Sequence, residues 1–212
     1  MKYDSIIFDL DGTLWDSTHS CVEAWNQCYE KFKVSDRITH QQMSSTMGMD
    51  AKTLKQHLFA TWPEEKADAF LEASLKEVVR TLRLRPGVLY PYVEDGLAAL
   101  ASMFPLYIVS NCQKGYIEVF LEQTGLGELF QDFESFGNTG QPKFQNIQRV
   151  INRNDLNLPI YIGDTMGDYM AASKINLPFA HVTYGFGYVE PNVPKFTNFD
   201  HLVDYLVENR FV

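Results

Sequence analysis

Cysteine is scarce in this chain: 212 residues carry only Cys21, Cys28 and Cys112, and no two of them form a C-x-x-C pair. An odd count with no signal peptide points to reduced thiols. Long apolar runs are lacking as well, and nothing approaches the ~18 residues needed to span a bilayer, so no membrane partner is expected. Positive charge is in deficit, with 18 Lys and Arg against 27 Asp and Glu and a formal net charge of −9. That field repels a nucleic-acid backbone and excludes it as the main partner. There is no low-complexity segment and no internal repeat. The opening Met1-Lys2-Tyr3-Asp4 runs straight into an apolar stretch, which leaves no room for a targeting segment, and the expected location is the cytoplasm.

What is present suffices for a large core. The chain is 45% hydrophobic and 14% aromatic, enough for one core or for a core with a smaller appended unit. A small anionic substrate remains compatible with the acidic balance, because one bound metal reverses the local potential.

The most informative segment is Ile6-Ile7-Phe8-Asp9-Leu10-Asp11-Gly12-Thr13. Its short apolar, β-branched start broken by Gly12 reads as a central parallel strand. Asp9 and Asp11, two residues apart, leave the strand at its carboxyl edge, where ligands bind in open α/β sheets. Two close carboxylates repel unless a proton or cation lies between them, and Mg2+ is the natural partner where phosphate is nearby. Taken alone, an acidic D-x-D-G also reads as an exposed turn after a strand.

Helical spacing predicts helices over 17–32, 39–46, 50–60 and 63–82, with Ser17 and Thr18 as N-cap candidates and Pro63 just before a helix start. Nothing from 17 to 84 reads as a strand, and Arg85-Pro86-Gly87 ends the block. Beyond it, strands over 106–109, 133–136, 160–162 and 179–183 alternate with helices over 93–103, 115–124, 143–152, 165–175 and 200–208. Such alternation implies an α/β fold, a doubly wound parallel sheet with helices on both faces. The expected domains are an α/β core of 1–15 and 86–212 and a small α-helical cap of 16–85, inserted after the first strand and lying over the two aspartates. Asp16-Ser17 is the hinge into it.

Each later strand ends in polar residues: Ser110-Asn111, then Gly163-Asp164-Thr165 with Asp168 four residues on, and Lys143 opens the helix between them. A doubly wound sheet brings these ends together. Each has a plainer reading: Ser110-Asn111 as a capping pair, Lys143 as a solvated lysine, Asp164 and Asp168 as an acidic first turn favoured by the helix dipole. Their common edge argues for a shared site.

Asp9-x-Asp11-Gly12-Thr13, Ser110-Asn111, Lys143 and Gly163-Asp164-Thr165 with Asp168 together resemble the four motifs of the haloacid dehalogenase-like hydrolases, in order from end to end. The helical insertion resembles the cap of members with a small α-helical lid. Gly48 and Thr183-Tyr184-Gly185-Phe186-Gly187 resemble the phosphoglycolate phosphatase-like branch. Two positions depart from the family pattern. The third motif reads Gln141-Pro142-Lys143 where many members have Lys-Pro, and Trp15 replaces a small aliphatic residue and is expected to shape the entrance.

The resemblance implies a cytoplasmic, Mg2+-dependent phosphatase acting on a small phosphorylated metabolite, a phosphoglycolate-like phosphate monoester. It implies Asp9 as nucleophile, forming an aspartyl-phosphate, and Asp11 as general acid and then base. It implies Mg2+ held by Asp9, the backbone carbonyl of Asp11 and Asp164, with Asp168 orienting from behind. Thr13, Ser110, Asn111 and Lys143 bind the phosphoryl oxygens. An acid at Asp11 favours phosphate chemistry over the dehalogenation of members that lack it. The alternatives are a phosphosugar mutase of the β-phosphoglucomutase kind, a pyrophosphatase or nucleotidase, and a phospho-receiver domain, against which the lid and Asp11 argue. Arg37, Lys52, Lys55 and His57 are the polar cap candidates for substrate contact, and surface solvation explains each at least as well. Met43, Met47 and Met49 read either as the lining of an adaptable pocket or, the favoured reading, as core packing, and His181 is expected as a satisfied core histidine.

Overall fold

The computed structural model describes residues 2–211. Six parallel strands form one sheet: β1 (Ser5–Phe8), β4 (Leu106–Ser110), β5 (Phe130–Ser135), β6 (Pro159–Gly163), β7 (Phe179–Val182) and β8 (Lys195–Phe196). Their order is β5-β4-β1-β6-β7-β8, so the chain runs outward from β1 on one side and then crosses back over it to the other. The order therefore reverses at β1, which puts the ligand crevice at the carboxyl end of that strand. All four β1 residues are buried, as a strand flanked on both edges and both faces requires.

Alternate residues divide the core into two layers. Ile6, Phe8, Leu106, Ile108, Ile160 and Ile162 face one apolar cluster, which includes the helices α5 (Val93–Ala101), α6 (Tyr116–Thr124) and α10 (Phe199–Glu208). Ile7, Tyr107, Val109 and Tyr161 face the other, formed with α8 (Lys143–Arg153) and α9 (Met166–Lys174). The doubly wound α/β architecture is as expected from the alternation.

Four helices lie between the first strand and the rest of the core: α1 (Thr18–Lys31), α2 (His40–Ser44), α3 (Ala51–Phe59) and α4 (Glu64–Leu84). An aromatic knot holds them, with Phe70 against Trp25, Tyr29, Phe32, Phe59 and Trp62 at centroid distances of 4.6–5.9 Å. Where this block joins the core, β2 (Trp15–Asp16) and β3 (Val88–Leu89) pair as an antiparallel ribbon. Gly87 backs it closely: a Cβ there would sit 2.6 Å from the Trp15 ring.

Two expectations on element bounds need correction. The third sheet strand begins at Phe130, three residues before the expected 133, because Gln131 and Asp132 on this edge strand break the apolar pattern. Asp132 instead accepts from Asn154 and Arg153 of the α8 end. The ribbon and β8 were not anticipated, since two-residue strands carry no periodicity.

Candidate active site

Asp9 directly follows β1, and its N–H donates to the Ile162 carbonyl at 2.8 Å, which continues the ladder and fixes the carboxylate at the sheet edge. The chain then curls so that Leu10 O accepts from Thr13 and Leu14 at 3.2 and 2.9 Å. Gly12 makes that turn with φ +82°, and a Cβ there would lie 2.1 Å from Asp164 Oδ2. Close approach as well as backbone conformation therefore requires glycine.

Lys143 enters from the first turn of α8, pre-set by Pro142. Its buried Nζ donates to Asp9 Oδ1 at 2.8 Å and to Asp168 Oδ1 at 2.5 Å. Asp168 is aimed by a capping box, in which Thr165 N and Oγ1 donate to its Oδ2 at 3.0 and 2.6 Å. Asp164, at the end of β6, is aimed by the Phe186 N–H, which donates to Oδ2 at 2.7 Å. Gly185 permits the approach, since a Cβ there would fall 2.3 Å from the same oxygen. His181 Nε2 donates to the Asp164 carbonyl at 3.1 Å, so this histidine braces a site residue in addition to filling the core.

Carboxylate oxygens of Asp9, Asp164 and Asp168 lie within 4.8 Å of one another, all buried. Burial pushes Asp9 up to about 7, reinforced by Asp168 and Asp11 and opposed by the Lys143 ammonium. Burial, then the charges of Asp168 and Asp9, push Asp164 well above the carboxylate range. Burial opposes the charge on Lys143, yet Asp168 and Asp9 outweigh it and hold the ammonium well above the usual lysine range. Three acids thus face one lysine, and Asp9 Oδ2 and Asp164 Oδ1 are buried without a hydrogen-bond partner. Two orphaned carboxylate oxygens in an all-oxygen cluster suit a hard divalent cation such as Mg2+. Asp9 and Asp164 are the side chains with an oxygen to spare, whereas both oxygens of Asp168 are already bonded.

Asp11 turns its side chain away from that cluster. Its Oδ1 accepts from Tyr116 Oη at 2.6 Å and from Ser17 Oγ and Trp15 Nε1, each at 3.0 Å. Burial pushes the carboxyl up to about 6, with the Tyr116, Ser17 and Trp15 hydrogen bonds pulling it back. Trp15 therefore does not shape an entrance. It is fully buried, edge-on to Tyr116 and Phe120 at 5.7 and 5.1 Å, and presents its N–H to Asp11. Ser17 occupies the N-cap position of α1 but makes no capping bond, because its hydroxyl serves Asp11. Asp16 Oδ1 takes over that role, accepting from Thr18 N at 2.8 Å.

Ser110, Asn111 and Asp11 line a cavity of about 290 Å³ between the sheet edge and the helical block. Asn111 Nδ2 crosses it to donate to Gly48 O at 2.8 Å. Thr13 Oγ1 is buried without a partner. Of the polar cap candidates, Arg37, Lys52, Lys55 and His57 all lie outside the cavity lining, whereas Met43, Met47 and Met49 are part of it. Arg37 pairs with Glu30, and Lys55 with Asp68 and Glu64. The methionines both pack on the core and face the cavity.

Sequence reasoning missed Tyr116, and it quoted Thr165 and Phe186 within motifs without giving either a role in the site. Tyr116 opens an amphipathic helix and reads as core, Phe186 acts through its backbone N–H, and Thr165 is recognisable only as a cap three residues before Asp168.

A family model described as haloacid dehalogenase-like hydrolase matches residues 6–182. The chain belongs to this family. Curated relatives include the phosphoglycolate phosphatase of Photobacterium profundum, 29% identical and covering 88% of this chain and 86% of that one. That of Synechococcus elongatus is 28% identical, covering 86% and 84%. The fold matches a haloacid dehalogenase-like hydrolase of Streptococcus pneumoniae at TM-score 0.83 and 20% identity, covering 96% of this chain and 98% of that one. It also matches a subfamily IA hydrolase of Geobacter sulfurreducens at TM-score 0.72 and 14% identity, with 96% of each chain covered. As a haloacid dehalogenase-like hydrolase the chain is an enzyme. Among its described residues no helix is long and apolar enough to cross a membrane.

Proposed function

We propose that the enzyme is a Mg2+-dependent phosphatase that hydrolyses a small phosphate monoester through an aspartyl-phosphate on Asp9. The observation that carries this reading is the Asp9 carboxylate at the end of β1, with Lys143 Nζ at 2.8 Å on one oxygen and the other oxygen unpartnered. The curated phosphoglycolate phosphatases support the reaction class. The division into a core of 1–15 and 86–212 and a cap of 16–85 belongs to the same reading, supported by the ribbon at the crossing point.

A carboxylate meeting a phosphate dianion faces strong repulsion, which Lys143 offsets by holding positive charge beside Asp9. Asp9, Asp164 and the Asp11 carbonyl would hold Mg2+, which supplies Lewis-acid neutralisation of phosphoryl charge when bound. Ser110, the Asn111 N–H and the unpartnered Thr13 hydroxyl bind phosphoryl oxygens. Asp9 forms its bond to phosphorus as the bond to the leaving oxygen breaks, and protonated Asp11 gives that oxygen its proton. Asp11, now ionised, takes a proton from the water that attacks phosphorus, which releases inorganic phosphate and restores Asp9. Burial raises the Asp11 pKa to about 6, which enlarges the protonated fraction near neutrality compared with an ordinary carboxyl. Asp168 holds Lys143 in place.

Release of inorganic phosphate from a panel of small phosphate esters, with and without Mg2+, tests the proposal. Turnover should require Mg2+ and vanish in Asp9→Asn, which stays folded. Full activity in that variant ends the nucleophile assignment. Interconversion of sugar phosphates without phosphate release establishes the mutase reading instead.

A further inference from the structure

The cavity over the strand ends has two unlike halves. Its floor carries the polar groups of Asp11, Ser110 and Asn111, where the phosphoryl group belongs if the proposed reaction is right. The opposite wall is Trp25, Met43, Met47, Met49, Leu54 and Val78. Thr46 also lines it, but its hydroxyl is committed to Met43 O at 2.7 Å. Gln113, likewise in the lining, donates its side-chain amide to Leu75 O at 3.3 Å.

Positive charge is nearly absent from this lining. Among the described residues only Lys114 supplies any, and it is solvent-exposed, where an ion pair contributes little. Lys143 is committed to Asp9 and Asp168 below. A leaving group bearing a carboxylate would enter an apolar wall beside Asp11, with no buried cation to meet it, at a high desolvation cost. An apolar leaving group loses nothing there, gains contact with the wall, and meets methionines that adapt their shape to it. A cavity of about 290 Å³ lies at the small end of the ligand-pocket range, which favours a compact leaving group.

Resting on the phosphatase reading of this site, we infer that the substrate is the phosphate monoester of a compact, uncharged, apolar alcohol, alkyl or aromatic. The wall recognises the alcohol by shape and burial and discriminates against acidic leaving groups such as glycolate.

The test compares kcat/KM for benzyl phosphate and 2-phosphoglycolate on the Mg2+-loaded enzyme, with acetyl phosphate as a substrate whose small leaving group needs no wall. Benzyl phosphate should exceed 2-phosphoglycolate by at least about tenfold, the scale on which apolar pockets discriminate. Equal or reversed preference, with acetyl phosphate hydrolysed, overturns the inference and leaves the phosphatase reading standing. No phosphate release from any of the three overturns both. In Met47→Lys the benzyl-to-glycolate ratio should fall at least about tenfold, and an unchanged ratio overturns the assignment of the wall. Met49→Lys reads the same ratio should the first variant fail to fold.

Discussion

Asn111, at the end of a central sheet strand, donates its side-chain amide to the carbonyl of Gly48 at 2.8 Å, tying the helical block to the carboxyl edge of the sheet. Gly48 holds φ at +82°, and a Cβ there would lie 3.4 Å from Thr165 Cγ2. The tether therefore depends on a backbone that side chains rarely adopt.

Asn111→Ala should loosen the lid with little effect on the chemical step. One neutral hydrogen bond contributes about 1 kcal/mol, so KM should rise roughly fivefold while kcat changes less. Gly48→Ala should act in the same direction. Steady-state kinetics on both variants checks this, and a fall in kcat at constant KM excludes it.

Tyr116 provides the shortest of the three hydrogen bonds to Asp11 Oδ1, and that bond lowers the carboxyl pKa from where burial alone would put it. Tyr116→Phe should therefore move the alkaline limb of the kcat–pH profile upward and reduce kcat about tenfold, the scale of a hydrogen bond to a charged group. Asp11→Ala should cost roughly 10²-fold or more on an ester with a poor leaving group. A pH profile unmoved in Tyr116→Phe would show that the contact does not tune the acid.

Lys143 is the cation on which Asp9 and Asp168 both rely. Lys143→Met leaves these carboxylates buried without it, which should destabilise the metal-free protein by about 3–5 kcal/mol. Added Mg2+ should restore part of that stability while activity stays lost. Denaturant titrations with and without Mg2+ measure both effects, and unchanged stability in the metal-free protein contradicts the assignment.

Burial holds the His181 imidazole below its usual value of 6.5. The neutral ring is thus favoured more in the folded than in the unfolded chain. Its contribution to stability is complete above about 6.5 and is lost as pH falls toward the folded-state pKa. Melting temperature should drop on acidification from pH 7, and His181→Asn should flatten that drop. An equally steep fall in the variant places the acid sensitivity elsewhere.

Much of the candidate site was legible because polar residues interrupt apolar strands at one end only. Asp9 and Asp164 each follow a buried strand, Ser110 ends one, and all three stand out against it. Lys143 was placed by its helix start, although its long side chain, which reaches two carboxylates, has no sequence signature. The surroundings of Asp11 were hidden. Trp15 and Tyr116 are large aromatics in apolar contexts, and sequence cannot separate a ring that fills space from one whose polar tip meets a carboxylate. Ser17 misled in the opposite way, since a hydroxyl at a helix start predicts a cap and here Asp16 supplies it. The polar cap residues drew attention by their charge, yet they lie outside the cavity lining and the neutral methionines face the cavity.

Asp16 and Val88 face each other across the two-stranded ribbon, as do Trp15 and Leu89. The whole excursion through α1–α4 thus departs and returns at neighbouring points. A segment whose ends already touch can be lengthened, trimmed or exchanged without shifting the register of any sheet strand. The part of the enzyme that senses the alcohol and the part that handles the phosphoryl group can therefore change independently, joined by one short seam.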